Sequence, residues 1–145
     1  MGKQLKTPQT PDEWEVYYDL RYRVLREPLG QARGSERNDG DETGIHIALY
    51  SENKLCGIAR LDGAGEQIAQ VRFVAVETAE QGKGHGKELM REAERIAKAK
   101  GSSQMLLHAR DYAVDFYEHI GYVVIEPSHL LFGILQHFKM VKELN

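Results

Sequence analysis

Between residues 45 and 76 the apolar residues fall into three short runs, IHIALYS (45–51), KLCGIARLD (54–62) and QIAQVRFVAV (67–76). Runs of this length, rich in β-branched residues and bounded by turn formers, read as strands. The breaks at Glu52-Asn53 and at Gly63-Ala64-Gly65-Glu66 are hairpin-like, which predicts an antiparallel meander. The pattern is helical on either side of it. Thr10-Pro11-Asp12-Glu13 combines a capping residue, a proline at the first helical position and a glutamate that completes a capping box. Trp14, Tyr17, Leu20 or Arg21, and Val24 then recur at helical spacing until Pro28 stops the helix near Glu27. Residues 85–100 are the clearest helix, with Leu89, Ala93, Ile96 and Ala97 on one face and Gly101 closing it. Beyond it, QMLLHA (104–109) reads as a strand and 111–120 as a helix. YVVIE (122–126) and QHFKMVKEL (136–144) read as two last strands. The polar, glycine-containing stretch 28–43 reads as a long loop.

Helix, three strands, helix, strand, helix, two strands is the order of an α/β protein. The strand ending at Val76 and the one beginning near Met105 are joined through a helix, so they are expected to lie parallel, with a right-handed crossover. The remaining neighbours are antiparallel, which predicts a mixed, mostly antiparallel sheet of six to seven strands with flanking helices. A length of 145 residues fits one domain, 1–145.

Charge adds an asymmetry. The net charge of −3 does not favour nucleic acid or an anionic membrane as partner. Residues 11–52 hold ten acids against five bases, a balance of −5, whereas residues 83–110 hold seven bases against three acids, a balance of +4. The bland reading is solvated helix faces; the sharper one is an anionic ligand near residue 83 and a cationic one near the acidic half. No apolar run reaches the roughly 18 residues of a membrane span. The first ten residues have no apolar signal-peptide core, and one cysteine excludes an internal disulfide framework. These features lead to the expectation of a cytoplasmic protein.

The candidate chemistry begins at Glu80-Gln81-Gly82-Lys83-Gly84-His85-Gly86-Lys87. Three glycines allow positive φ and close approach of a ligand to the main chain. The following helix offers unpaired N–H groups and a partial positive charge, so the turn suits phosphate. The spacing does not fit a P-loop, because Gly82 and Gly86 are one residue too close and Glu88 follows Lys87. Nor does it fit a dinucleotide fingerprint, which belongs at the first strand of its unit. A tight turn without a ligand needs only one glycine.

Two motifs, in this order and topology, resemble the GNAT acyltransferase superfamily. Gln81 to Gly86 matches [RQ]-x-x-G-x-[GA], and AVDFYEHIGY (113–122) resembles A-x-x-F-Y-x-x-x-G-[FY]. The resemblance covers roughly 45–144. Residues 20–29 with the ending HFKMVK are similar to a bacterial branch of that family. It implies acetyl-CoA as co-substrate, with the pyrophosphate on the backbone of Gln81, Gly82, Lys83, Gly84, His85, Gly86 and Lys87. Pantetheine would lie along Val74, Ala75 and Val76, where the parallel strands splay. It also implies Tyr117 as general acid for the departing thiolate and a backbone N–H near Val76 for the oxyanion. Arg110 stands where many relatives carry asparagine and is expected to reach a coenzyme phosphate or fix the helix start.

For a general base the candidates are His46 and His108 on strands flanking the splay, with His137 on the last strand and water chains as further options. Asp39, Asp41 and Glu42 are candidates for holding a cationic amine. No metal site is expected: no histidine pair has ligand spacing, and Cys56 reads as a core residue. The apolar segment 127–135 reads as a connection that either lines an acceptor pocket or covers the seam of a homodimer. The expectation is therefore direct acetyl transfer from acetyl-CoA to the amine of a small molecule, with no nucleic acid and no membrane involved. The alternatives are a non-catalytic acyl-CoA sensor and a protein lysine or N-terminal acetyltransferase.

Overall fold

The structure is a computed structural model that describes residues 2–145. Seven strands form one sheet in the order β1-β2-β3-β4-β5-β7-β6. They are β1 (Lys3–Lys6), β2 (Ile45–Ser51), β3 (Lys54–Asp62), β4 (Ile68–Val76), β5 (Gln104–Arg110), β6 (Val123–Leu131) and β7 (Leu135–Glu143). Only β4 and β5 run parallel. The mixed sheet with one parallel pair is the expected class. The chain also adds an edge strand, β1, that periodicity does not reveal, because four residues reading KQLK carry too little pattern.

Helix α1 (Pro11–Leu25) covers one face and α2 (His85–Ala99) the other. The α1 start is built as its sequence predicts. The Thr10 hydroxyl accepts from the Glu13 N–H at 3.1 Å, and the Glu13 carboxylate accepts in return from the Thr10 N–H. The α2 face buries Leu89, Met90, Ala93 and Ala97 against Ile47, Leu49, Leu61, Val71, Met105 and Leu107. The α1 face buries Tyr17, Leu20 and Leu25 against Ala48, Ile58 and Ala75. Ile47 and Ala48 thus point to opposite faces, as successive strand residues must.

The gap in the sheet has a local cause. β4 pairs with β5 only over Ile68↔Gln104, Ala69↔Met105 and Gln70↔Leu106. On its other edge β4 pairs Ala75 with Ile58 and Arg72 with Arg60, so Phe73 and Val74 together stand opposite Ala59 alone. This is a β-bulge, and Phe73 takes the left-handed conformation at φ 55°. A bulge bends its strand, and β4 leaves β5 from Gln70 onward. The bulge also turns Phe73 and Ala75 toward α1, although Val71 faces α2.

Two boundaries differ from the sequence expectation. The expected helix 111–120 is a short 3₁₀ turn, Asp111–Ala113, followed by α3 (Val114–His119). The segment 127–135 is not a connection: residues through Leu131 complete β6, and Phe132-Gly133, both at positive φ, make a tight hairpin into β7. Pro127 is tolerated because it borders an irregularity in an edge strand, where a missing N–H costs little.

Candidate active site

A cleft of about 640 Å³ opens where β4 and β5 part. Its upper end is the turn from Val76 to α2. Gly82 and Gly84 sit at φ 81° and 86°, conformations that side chains rarely adopt, and no protein atom lies within 4 Å of where their Cβ atoms would be. Gly84 occupies the cap position of α2 without any side-chain cap, so the first N–H groups of the helix are left to a ligand. Gly86 is glycine for a different reason, since a Cβ there would meet the Phe116 ring at 3.1 Å. The Gln81 side chain folds back to donate to the Val76 carbonyl at 3.2 Å. Lys83 and Lys87 are exposed at the rim, with Lys83 paired to Glu80.

His85 behaves differently from the rest of this turn. Its ring is buried, with Nε2 3.1 Å from Glu80 Oε1, so only its main chain faces a ligand on the turn. Cys56 Sγ lies 3.7 Å from the same Glu80 oxygen, and the donor atoms of Cys56, Glu80 and His85 are all within 4.8 Å of one another. This mixed donor set comes from three separate elements, so a scan for local metal-ligand spacing does not find it. Cys56 is as buried as its sequence setting predicts, and burial raises its thiol pKa.

Val74, Ala75 and Val76 form the β4 wall, and beyond Gln70 no β5 partner takes their main chain. Tyr117 stands across the gap with Phe116 edge-on to it at 5.0 Å. The Tyr117 hydroxyl has no protein hydrogen-bond partner among the described residues. Burial pushes its pKa well above the ordinary phenol value, so the phenol keeps its proton at neutral pH.

On the side of β5, β6 and β7 the cleft is lined by three histidines, His108, His129 and His137. The His108 ring lies 5.3 Å from that of His129, which stacks on His137 at 4.2 Å. Neither ring nitrogen of His108 has a protein partner among the described residues. His137 Nδ1 donates to the Leu135 carbonyl at 3.1 Å. Burial lowers all three pKa values, that of His137 to about 4, with nearby positive groups contributing. The trio is neutral at neutral pH.

His46 is elsewhere. Its Nε2 donates to the Asp41 carbonyl at 2.8 Å, and its Nδ1 accepts from the Tyr17 hydroxyl at 2.8 Å. It does not line the cleft, and both nitrogens are occupied, so the expectation that it flanks the splay as a base is not met. Asp39, Asp41 and Glu42 do not line the cleft either. Asp41 Oδ1 instead bridges Arg21 and Arg60, each at 2.8 Å. Arg110 lines the cleft but donates to the Leu25 carbonyl at 2.9 Å and the Tyr112 hydroxyl at 3.2 Å, tying β5 to the end of α1.

Arg26, Gln70, Arg72, Phe73 and His129 also line the cleft without having been singled out by motif. Arg72 had a signal. It is a lone charge in the middle of the apolar run VRFVAV, and the structure leaves it exposed at the cleft.

The Acetyltransferase (GNAT) domain family matches residues 20–144, and the chain belongs to that family. Similar curated proteins include two from Bacillus subtilis. YyaT is 30% identical over 100 residues, covering 69% of this chain and 66% of YyaT. The uncharacterized N-acetyltransferase YjcF is 30% identical over 101 residues, covering 68% of this chain and 69% of YjcF. The chain thus spans about two thirds of the length of these relatives. Among solved structures, an aminoglycoside 6′-N-acetyltransferase complexed with coenzyme A superposes with a TM-score of 0.81 at 15% identity, covering 100% and 98% of the two chains. An acyl-CoA N-acyltransferase from Pseudomonas aeruginosa gives 0.79 at 22%, covering 97% of each. At those identities the likeness is one of fold.

Proposed function

We propose that this protein is an N-acetyltransferase that moves an acetyl group from acetyl-CoA directly to the amine of a small molecule. One observation carries the reading: a single continuous cleft joins an uncapped glycine turn to an unpartnered tyrosine and an unpartnered histidine across a break in the sheet. The main-chain N–H groups of 81–87 bind the pyrophosphate. Membership of the acetyltransferase family and a coenzyme A complex of an enzyme with the same fold support a coenzyme as the ligand. The pantetheine arm takes the place β5 leaves beside Val74, Ala75 and Val76, pairing with their free main chain.

The amine nitrogen attacks the thioester carbonyl, and a C–N bond forms as the carbonyl electrons move to oxygen. A β4 N–H near Val76 stabilises that oxyanion. His108 is neutral at neutral pH and takes the proton released from nitrogen. The C–S bond then breaks, and Tyr117 gives its proton to the leaving thiolate. Arg110 holds the β5 end of the cleft in register with α1. The products are an acetamide and free coenzyme A.

The test is release of free thiol from acetyl-CoA by the purified protein with a panel of amines. Turnover with at least one small amine is expected, and Tyr117→Phe lowers kcat more than about tenfold with little change in coenzyme affinity, because a general acid acts in the chemical step. Coenzyme binding without thiol release for any amine would identify a sensor. Release with peptides alone would identify a protein-modifying enzyme. Unchanged kcat in the variant would remove Tyr117 from its role.

A further inference from the structure

The cleft is unusually charged for a place that receives an amine. Arg26, Arg72 and Arg110 all line it. Among the described residues lining the cleft, Glu80 is the one carboxylate, and it sits at the glycine turn, bonded to Lys83 and His85. Of the seven arginines outside the cleft, six reach a carboxylate, namely Arg21, Arg23, Arg33, Arg37, Arg60 and Arg95, and the exposed Arg91 does not. Arg26 and Arg110 donate only to neutral oxygens, those of Ser35, Leu25 and Tyr112. The Arg72 side chain has no hydrogen bond or ion pair among the described residues; its guanidinium lies over the Phe73 ring, 5.2 Å from the centroid. The same ring has Arg21, Arg26 and Arg60 within 5.6 Å of its centroid. Burial lowers the pKa of both Arg26 and Arg72; nearby guanidinium groups add to it, Arg110 foremost at Arg26 and Arg60 at Arg72, while Glu36 at Arg26 and Asp62 and Asp41 at Arg72 act from a distance in the opposite direction.

Arg72 is exposed and Arg26 and Arg110 are half-buried, and none of the three is bonded to a carboxylate, so an anion entering the cleft finds charged donors that the protein has not already paired. The coenzyme's phosphates are not that anion. In the acetyl-transfer reading they bind at the glycine turn, whereas Arg72 lies four residues back along β4 from Val76, roughly 13 Å at strand spacing, and lines the same cleft as His108 and His129, whose pKa values its charge lowers. Asp39, Asp41 and Glu42, the carboxylates that a cationic acceptor would need, lie outside the cleft.

We propose that the acceptor amine carries an anionic group, a carboxylate or a phosphate, which Arg72 grips with Arg26 behind it, leaving the amine beside His108. The proposal rests on the acetyl-transfer reading. It excludes polyamines and multiply cationic amino sugars as preferred acceptors. Arg72 is a specificity residue here, and its planar fork suits two oxygens at once.

Matched acceptors test it by thiol release: phenylalanine against phenylalaninamide, phosphoethanolamine against ethanolamine, and spermidine as the cationic arm. At least one anionic member is expected to exceed its neutral counterpart about tenfold or more in kcat/KM, through KM. The pair that responds distinguishes carboxylate from phosphate. Arg72→Gln should collapse that ratio to about twofold or less, and Arg72→Lys should restore part of it, with coenzyme affinity by calorimetry as the check on folding. Preference for the neutral member or for spermidine overturns the proposal, as does a ratio that survives Arg72→Gln. If coenzyme binds and no amine reacts, the acetyl-transfer reading falls by itself. The anion site is then read by calorimetry on the coenzyme-saturated protein with N-acetylphenylalanine, its amide and inorganic phosphate. Absence of anion-dependent heat, or heat indifferent to Arg72→Gln, overturns the site as well.

Discussion

The two ends of Phe73 hold the same kinds of side chain in opposite circumstances. On the α1 side, Arg21, Arg60, Asp41, Tyr17 and His46 form a hydrogen-bonded network in which Arg21 Nε is left without a partner among the described residues. Both guanidinium side chains are fully buried, both reach Asp41 Oδ1, and Arg60 also reaches Asp62 and Asn38. The Tyr17 hydroxyl accepts from Arg21 and meets His46. On the cleft side, Arg72 and His108 have no such partners. An arginine or a histidine is therefore uninformative by type. Whether its hydrogen-bonding capacity is already satisfied by the protein separates a residue that holds the fold from one that waits for a ligand.

The sharpest way to break this contrast is to disrupt the network on the α1 side. Asp41→Ala leaves two buried guanidinium groups without their shared carboxylate and should cost about 3–5 kcal/mol. Arg72→Ala on the open side should change stability by no more than about 0.5 kcal/mol. Urea unfolding of the two variants measures both. Equal losses would mean that the cleft arginine is a structural residue after all. The loop 36–42 gains its order from this network, since Asp41 also accepts from the Asn38 N–H and the Glu36 carbonyl accepts from Arg21. The sequence reads that loop as acidic and open to a cation, because a carboxylate's distant partners are not visible in its neighbours.

At the glycine turn the expected effect is somewhat smaller and falls on the ligand rather than the fold. Gly84→Ala meets no protein atom and pays only for its left-handed backbone, about 1 kcal/mol. Gly84→Asp puts a negative charge where the pyrophosphate belongs and should weaken coenzyme binding about a hundredfold, some 2.7 kcal/mol, with a melting temperature close to that of Gly84→Ala. Equal coenzyme affinity in the two variants would move the pyrophosphate away from this turn.

How much was legible follows from range. The capping box, the glycine turn and the second motif are local patterns, and each is found where the sequence puts it. The bulge at Phe73 is not legible, because a phenylalanine at positive φ leaves no glycine or asparagine to mark it. Yet the bulge bends β4 and makes the cleft. His46 and His108 cannot be told apart by their surroundings in the chain, since both sit in alternating strands. Tyr17 and Asp41 occupy His46 from 29 and 5 residues away, and nothing occupies His108. Arg72 was the one long-range feature with a local trace, a charge inside an apolar run.

The smallest effect concerns the histidine trio and acts through pH. His137 is faced by His129, His108 and Arg110, and burial brings its pKa to about 4 from an ordinary value near 6.5. Between those values the unfolded chain takes up a proton that the folded chain refuses. Stability from this source is full above about pH 6.5 and falls as pH drops toward 4. His46, His108 and His129 are lowered too and add in the same direction. His137→Asn keeps an N–H for the Leu135 carbonyl and removes the titration, so its unfolding midpoint should fall less steeply between pH 6.5 and 4.5 than that of the parent. Parallel curves would mean that the ring is more solvated than its packing indicates. A bound anion reverses the penalty, because negative charge beside the trio favours imidazolium. Inorganic phosphate should therefore flatten the parent's curve, and Arg72→Gln should reduce that flattening if the anion is held where the cleft is basic.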